Sequence, residues 1–337
     1  MDHLLSVEGL KTYFFTRAGV VKAVDGVSFY LDEGEALGLV GESGCGKSIT
    51  CHSIVRLLPA AGSRIVDGKI LFEGEDLVQT KGKEMRKWRG KKIGMILQDP
   101  LVSLNPVHTI GRQVGEAVRL DDKKQKTGTV RRKVIEMLER VKIPSAAQRL
   151  KQYPFQFSGG MRQRVLAAVA MARRPKLLIA DEPTTALDVT IQDQFLRLLK
   201  EMQREYGLAL LLVTHDLGLV AETCDRVAVM YAGRIVETGS VERVFEDPAH
   251  PYTKALMRAL PDMETRKRRL CQIEGEPPNL LDLPPGCSFS PRCSEAMEIC
   301  RREYPPSFPA GGGAEATCWR WGDVNSIEMC KLQIEKC

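Results

Sequence analysis

The sequence predicts an α/β fold in which a mostly parallel β-sheet is covered by helices and joined by an antiparallel β subdomain. Two observations predict this fold. Short, continuous aliphatic segments alternate with helical segments, which is typical of a parallel sheet with helices on both faces. The 337 residues are 43% hydrophobic and 27% charged, as in globular chains that bury a sizeable core. We also expect a helical insertion and a cysteine-rich, loop-rich C-terminal extension.

The N-terminal segments predict the antiparallel part of the fold. Residues 4–15, 21–35 and 67–77 are strand-like runs separated by turn residues. Between the second and third runs, residues 35–40 form a buried strand that leads into a glycine-rich turn. Residues 51–58 then have apolar side chains at helical spacing. A strand, a tight turn and a helix therefore follow one another here.

The rest of the chain predicts the insertion, the remaining sheet and the extension. Residues 99–175 contain helical patterns and no central strand, which indicates a helical insertion. Buried strands resume at residues 176–183 and 208–216, and a helix between them ends at Gly207. From residue 246 the composition shifts toward proline, glycine and cysteine. We therefore expect one unit over residues 1–245 and an extension over residues 246–337.

Composition and charge exclude several classes of protein. No run reaches the ~18 consecutive apolar residues that a membrane-spanning helix needs, and the N-terminus lacks the basic region of a signal peptide. The formal net charge of +6 is mild for this length, so charge indicates no nucleic-acid partner. These features predict a protein of the cytoplasm.

A phosphate-binding motif stands between the first buried strand and its helix. The sequence GESGCGKS matches G-x-x-x-x-G-K-[ST] in the strand–turn–helix context that this motif requires. Glycines let backbone N–H groups surround phosphate oxygens, and the following helix adds its positive end. We expect Lys47 to contact the β- and γ-phosphates and Ser48 to bind Mg²⁺. The residues expected to surround the triphosphate of ATP are Gly41, Ser43, Gly44, Cys45, Gly46, Lys47, Ser48 and Ile49.

Two carboxylates end the aliphatic strand that starts at residue 176. An aspartate at the carboxyl end of a strand beside this motif supplies the second protein contact to Mg²⁺, which we assign to Asp181. Glu182 is placed to orient an attacking water or accept its proton. An Asp-Glu pair alone indicates no more than a solvated strand end. Together with the phosphate-binding motif, the pair predicts a P-loop nucleoside triphosphatase.

A second glycine-rich segment resembles the signature of the ATP-binding cassette family. Phe157-Ser-Gly-Gly-Met161 is similar to the family's LSGGQ sequence, with Phe and Met in place of Leu and Gln. Ser158, Gly159 and Gly160 start a helix, where backbone donors and a capping hydroxyl can hold phosphate. In that family, the signature of one subunit closes over the ATP of another. The resemblance therefore implies a head-to-tail dimer, with itself or with a homologous ATPase subunit.

The resemblance covers residues 4–245 and implies further site residues. Gln98 matches the Q-loop glutamine, which contacts Mg²⁺ or the attacking water. Asp188 ends a match to the D-loop, which crosses to the opposite site in the dimer. His215 matches the switch histidine that contacts the γ-phosphate. An aromatic residue near the N-terminus stacks on adenine in this family, and alignment favours Phe14 over its neighbour Tyr13.

The C-terminal segment indicates what the ATPase serves. HPYTKALMRALP and GEPPNLLDLPPGCSFSPRC resemble the extension of oligopeptide and dipeptide importer ATPases, over residues 246–320. Residues 101–114 resemble the segment that receives a coupling helix from a membrane subunit. The resemblance implies two membrane permease subunits, an extracytoplasmic peptide-binding protein, and a peripheral location on the cytoplasmic face of the membrane. Alternatives are import of nickel, haem or glutathione, or a soluble cassette ATPase of iron–sulfur assembly.

Four cysteines of the extension form a candidate metal site. Their spacing is C-x5-C-x6-C-x17-C, whereas structural zinc usually uses C-x2–4-C pairs. Wide gaps beside prolines favour loops around a larger group, and the resemblance points to [4Fe–4S] in some members. We therefore expect a structural [4Fe–4S] cluster, with Zn²⁺ or free thiols as alternatives and Cys271, Cys330 or Cys337 as possible substitutes. The four expected ligands are Cys287, Cys293, Cys300 and Cys318.

Overall fold

The structure is a computed structural model that describes residues 3–59, 62–120, 124–185, 187–259 and 272–322. Ala186 of the predicted D-loop lies outside the described residues, as do Cys271, Cys330 and Cys337. No helix within the described ranges is long and apolar enough to cross a membrane.

Twelve strands within the described ranges form two sheets. In chain order they are β1 (Leu5–Thr16), β2 (Gly19–Leu31), β3 (Ala36–Val40), β4 (Ser63–Phe72), β5 (Glu75–Asp76), β6 (Ile93–Ile96), β7 (Leu177–Asp181), β8 (Ala209–Thr214), β9 (Arg226–Tyr231), β10 (Arg234–Ser240), β11 (Phe308–Pro309) and β12 (Glu315–Ala316). The small sheet is antiparallel in the order β2-β1-β4-β5. The large sheet has the order β11-β12-β10-β9-β3-β8-β7-β6, in which the five strands from β9 to β6 are parallel.

Eleven α-helices within the described residues cover the large sheet and extend beyond it. They are α1 (Lys47–Ile54), α2 (Pro100–Ser103), α3 (Ile110–Arg119), α4 (Thr127–Arg140), α5 (Ala146–Arg149), α6 (Gly159–Met171), α7 (Val189–Tyr206), α8 (Leu217–Thr223), α9 (Val241–Glu246), α10 (Pro251–Arg258) and α11 (Glu298–Arg302). Five of them, α2 to α6, lie in the segment predicted to be a helical insertion.

Two hydrophobic cores lie on opposite faces of the large sheet. Alternate residues of β8 point to opposite sides: Leu210 and Leu212 pack with the helices, and Leu211 and Val213 pack with the antiparallel sheet and α1. Every residue of β3, β7 and β8 is buried. Burial on both faces explains why these strands have continuous aliphatic sequences, and the predicted α/β fold with its antiparallel subdomain is confirmed.

The C-terminal extension is built onto the edge of the large sheet. Strand β12 pairs with β10 through Glu237 opposite Ala316 and Thr238 opposite Glu315, and β11 pairs with β12. The backbone N–H of Lys22 in β2 also donates to the carbonyl of Leu280, at 3.2 Å. The extension therefore continues the sheet that carries the glycine-rich turn.

Candidate functional site

The predicted phosphate-binding motif forms the turn between β3 and α1. Two of its glycines are required by close backbone contacts. A Cβ at Gly41 would lie 2.1 Å from the carbonyl oxygen of Met230, and one at Gly46, whose φ is +108°, would lie 2.2 Å from that of Ala23. Because real Cβ atoms do not approach this closely, neither position accepts a side chain. Ser43 and Gly44 at the tip of the turn are exposed.

Lys47 is buried inside the turn. Its ammonium donates hydrogen bonds to the carbonyl oxygens of Gly41 at 2.8 Å and Glu42 at 3.0 Å. The Cys45 thiol lies 3.8 Å from the same ammonium. Ile49 belongs to the first turn of α1 and packs against the core on the side of the antiparallel sheet. The turn thus carries a fixed positive charge, beside backbone donors, where a triphosphate would need it.

The two predicted Mg²⁺ ligands lie together. The Ser48 hydroxyl donates to the Asp181 carboxylate at 2.9 Å. Burial raises the pKa of Asp181, against the opposing effect of this hydrogen bond, and a bound cation would favour the ionised form. Two protein oxygens are enough for Mg²⁺, which takes its other ligands from phosphate and water. The donor set therefore fits Mg²⁺ bound together with nucleotide.

The predicted hydrolytic residues follow neighbouring parallel strands. Gln98, Glu182 and His215 come after β6, β7 and β8, whose carboxyl ends meet at one edge of the sheet together with the turn after β3. The amide of Gln98 donates to the Glu182 carboxylate at 2.8 Å, and the Nδ1 atom of His215 lies 3.7 Å from that carboxylate. The structure thus brings Gln98 and His215 to the carboxylate of Glu182.

Glu182 has an unusual backbone conformation. Its φ is +44°, in the left-handed region that a residue with a side chain adopts at a cost of about 1–2 kcal/mol. Its backbone N–H donates to the carbonyl of Val213 at 2.9 Å, and the Thr185 hydroxyl lies 3.2 Å from its carboxylate. The neighbouring strand and the following loop therefore hold this carboxylate in place. The contact of Thr185 with the Glu182 carboxylate was not predicted from the sequence.

The two aromatic candidates for adenine stacking lie on opposite faces of β1. The Thr12 hydroxyl is hydrogen-bonded to Ser53 of α1 at 2.8 Å, so Phe14, two residues later, shares the face toward α1. The Tyr13 hydroxyl instead donates to Asp25 at 2.6 Å, and burial together with this hydrogen bond raises the pKa of Tyr13 to about 12. The stacking of Phe14 on adenine stays a prediction.

The predicted signature begins α6. The Ser158 hydroxyl caps the helix by accepting the Met161 N–H at 3.4 Å, and Ser158 and Gly159 are exposed. A Cβ at Gly160 would lie 2.4 Å from the Ile191 side chain of α7, so glycine is needed there for helix packing as well. Asp188 caps α7 by accepting the Ile191 N–H at 3.0 Å. The predicted contacts of the signature and of Asp188 with a second subunit stay predictions.

Four thiols line one cavity in the extension, together with the buried His250 and Phe289. Burial raises the pKa of Cys287 to about 11, and burial also raises the pKa values of Cys293 and Cys318. The described residues contain no group of three or more His, Cys, Asp or Glu side chains arranged to hold a metal ion. The cavity volume is only about 10 Å³. The thiols that line it are those of Cys287, Cys293, Cys300 and Cys318.

Comparisons with known proteins identify the family of the chain. Residues 24–185 match the ABC transporter family, and residues 236–300 match the oligopeptide/dipeptide transporter C-terminal region. The chain is 50% identical over 319 residues to the dipeptide transport ATP-binding protein DppD of Bacillus subtilis (strain 168), and the alignment covers 95% of each chain. It is 49% identical over 320 residues to the oligopeptide transport ATP-binding protein OppD of the same organism, over 95% of this chain and 89% of OppD.

Solved structures share the fold of the cassette. A dimeric structure of MJ0796, a bacterial ABC transporter cassette, superposes with a TM-score of 0.64 at 25% identity, over 70% of this chain and 98% of that one. The structure of cbiO1 from Clostridium perfringens, part of the ABC transporter complex cbiONQ, gives a TM-score of 0.63 at 28% identity, over 73% and 92%. The chain therefore belongs to the ATPases of the ABC transporter family, among those that carry the oligopeptide/dipeptide transporter C-terminal region.

Proposed function

We propose that this chain hydrolyses ATP to power the uptake of dipeptides or oligopeptides through two membrane permease subunits. The proposed substrate class rests on the match of the C-terminal region to the oligopeptide/dipeptide transporter family and on the similarity to DppD and OppD, whose names state dipeptide and oligopeptide transport. In this proposal residues 1–245 form the cassette and residues 246–337 the extension. The subunit lies peripherally on the cytoplasmic face of the membrane, and an extracytoplasmic peptide-binding protein delivers the substrate.

ATP would be held between two subunits. The backbone donors of the phosphate loop and Lys47 would bind the triphosphate, with Phe14 against the adenine. Ser158 and the two glycines after it would contact the same nucleotide from a second subunit, because a capped helix N-terminus attracts phosphate. The cassette MJ0796 is dimeric in its solved structure, which supports this arrangement. The second subunit is either another copy or a homologous ATPase.

Hydrolysis would use the three side chains at the sheet edge. Glu182 would orient the attacking water and accept its proton, while Gln98 and His215 hold the carboxylate and the γ-phosphate. Mg²⁺ held by Ser48 and Asp181, with Gln98 nearby, would neutralise charge on the β- and γ-phosphates. Loss of the γ-phosphate removes contacts between the two subunits, so the closed dimer opens. ATP thus biases a two-state assembly.

Uptake of labelled dipeptides by a strain that lacks this gene tests the transported substrate. We expect uptake to fall to background and to return with a plasmid carrying the natural sequence. A plasmid carrying Glu182→Gln should not restore it, because transport requires hydrolysis, and uptake of free amino acids serves as the control.

Unchanged uptake of dipeptides and oligopeptides in the deletion strain would overturn the proposed substrate. Loss of nickel, haem or glutathione accumulation in that strain would identify a different import substrate instead. Loss of iron–sulfur enzyme activity with unchanged peptide uptake would indicate the assembly function.

We further propose that the four thiols lining the cavity of the extension hold a [4Fe–4S] cluster. Four cysteine sulfurs are the donor set of such a cluster. A single Zn²⁺ is the alternative, but it needs its sulfurs about 2.3 Å from one point. The cavity volume of about 10 Å³ is smaller than a cluster, so the side chains of the four cysteines would have to turn away from one another to bind one. The cluster would have a structural role.

Metal analysis of anaerobically purified protein tests this site. We expect visible absorption together with about four iron atoms and matching sulfide per chain. Cys293→Ser removes one expected ligand and should lower the iron content strongly. Cys224→Ser is the matched control, because Cys224 is buried against the helices of the cassette, away from the cavity. Colourless protein that contains zinc, or protein without metal, would contradict the cluster.

A further inference from the structure

The phosphate loop has a partner that the sequence did not reveal. Arg292 of the extension binds the side chain of Glu42, the second residue of the loop, with two parallel hydrogen bonds. Nη1 donates to Oε2 at 2.8 Å, and Nη2 donates to Oε1 at 3.1 Å. Such a bidentate pair fixes distance and orientation together, unlike a single contact between two charges. The pair joins residues that are 250 positions apart.

Glu42 is also held through its backbone. Its N–H donates to the hydroxyl of Tyr252 at 3.0 Å, and its carbonyl accepts the hydrogen bond from Lys47 at 3.0 Å. Tyr252 belongs to α10 and is fully buried. One residue of the loop therefore connects two residues of the C-terminal region with the lysine expected to bind phosphate.

Arg292 is itself rigidly placed. Its side chain is only 4% exposed, and its guanidinium donates to the carbonyls of Ile273 and Glu274 and lies 3.3 Å from the Tyr231 hydroxyl. These partners belong to the extension and to β9, next to β3 in the large sheet. A buried guanidinium with this many bonds cannot move without breaking several of them.

Arg292 directly precedes Cys293 in the chain. One loop therefore carries both a thiol that lines the cavity and the arginine that binds Glu42 of the phosphate loop. The backbone N–H of Arg292 donates to the carbonyl of Phe289, and the backbone N–H of Cys287 donates to the carbonyl of Cys300 at 2.7 Å. A Cβ at Gly286 would lie 2.2 Å from that carbonyl oxygen, so these two segments are in close contact. The extension therefore presents Arg292 from a tightly packed support.

The Glu42 carboxylate needs this partner for an electrostatic reason. An unpaired carboxylate in a loop that binds a triphosphate would repel the nucleotide, and the repulsion is strong where solvent is partly excluded. Arg292 supplies the opposite charge and keeps the carboxylate on the side of the extension. Tyr252 at the same time fixes the backbone of the loop at Glu42.

We propose that Arg292 and Tyr252 are positioning residues that act through Glu42 to hold the phosphate loop in its nucleotide-binding conformation. The C-terminal extension thereby contributes to the affinity for ATP. This inference rests on ATP binding by the cassette and is independent of the transported substrate, so a negative result in the uptake experiment would leave it unaffected.

Titration of the purified full-length chain with a fluorescent ATP analogue and Mg²⁺ tests the proposal. We expect Arg292→Gln to raise the Kd by roughly 2- to 30-fold, the range typical of residues that act on a ligand through another residue. Tyr252→Phe removes one hydroxyl and keeps the buried ring, so a smaller increase is expected. Arg302→Gln is the matched control, because Arg302 is exposed on α11 and pairs with Glu298 of the same helix.

Hydrogen exchange of the peptide covering residues 41–48 distinguishes a local effect on the phosphate loop from a general loss of stability, which would speed exchange throughout the chain. Arg292→Gln and Tyr252→Phe should speed exchange in this peptide while peptides of β7 and β8 keep their protection. The double variant Arg292→Gln with Glu42→Gln should lose less binding free energy than the sum of the losses in the two single variants, since both substitutions remove the same contact. If Arg292→Gln does not fold, the Kd and the loop exchange rate of Tyr252→Phe test the proposal. A Kd and a loop exchange rate equal to those of Arg302→Gln would overturn the proposal.

Discussion

Glu182→Gln is expected to lower the rate of ATP hydrolysis by about 100-fold or more while leaving ATP bound. Proton transfer by a positioned side chain contributes roughly 10²–10⁴-fold to a rate, and an amide cannot accept the proton. Glutamine keeps the size of the side chain and can still bond to Gln98 and Thr185, which contact the carboxylate in the structure. The substitution therefore removes the chemistry and preserves the site.

The same variant should accumulate as a closed dimer. ATP that is bound but not hydrolysed keeps the γ-phosphate contacts that hold the two subunits together. Light scattering coupled to size-exclusion chromatography, with and without Mg-ATP, would show a dimer only with nucleotide. If the partner is a homologous subunit, that subunit must be added.

Glu201→Gln is the matched control for this prediction. Glu201 is exposed on α7, where it pairs with Lys142, so its loss should change neither turnover nor association. Turnover of Glu182→Gln at the level of this control would remove Glu182 from its proposed role. Absence of an ATP-dependent dimer with either partner would contradict the shared nucleotide site.

The parallel core could be predicted because its strands are buried on both faces. Residues such as Leu210 and Leu211 pack into different cores, so both must be apolar and the strand has a continuous aliphatic pattern. The hairpin of β9 and β10 was not predicted. Its turn holds Ala232 and Gly233 at positive φ, and of these two residues only the glycine is a turn signal that can be recognised in the sequence. Strand β12 has two residues, too few for any periodic pattern.

The candidate site was predictable to the extent that topology determines it. Gln98, Glu182 and His215 each follow a strand, and the carboxyl ends of neighbouring parallel strands meet at one edge. The pair of Glu42 and Arg292 could not be predicted in this way. Arg292 lies in a short turn outside the parallel core, and its contact depends on how the extension folds back onto the sheet.

Lys47→Ala is expected to weaken ATP binding by about 10- to 100-fold, and hydrolysis should be lost with it. A hydrogen bond to a charged group contributes about 1.5–3 kcal/mol, and each 1.4 kcal/mol corresponds to a factor of ten in Kd. In the structure the ammonium is buried and bonded to two carbonyls of the loop. It is therefore already placed among the backbone donors before nucleotide arrives, and no other side chain of the loop carries a positive charge.

Two further variants separate loss of charge from damage to the loop. Lys47→Gln keeps a long side chain that can still donate to the carbonyls of Gly41 and Glu42, so it should retain the thermal stability of the unaltered chain but bind ATP as weakly as Lys47→Ala. Lys176→Ala removes an exposed lysine that pairs with Glu33 and Glu73, and its Kd should stay unchanged. A Kd for Lys47→Gln equal to that of Lys176→Ala would show that the positive charge at Lys47 does not hold the triphosphate. Because the proposed shared site depends on that triphosphate, each Lys47 substitution combined with Glu182→Gln should weaken the nucleotide-dependent dimer, whereas Lys176→Ala combined with Glu182→Gln should keep it.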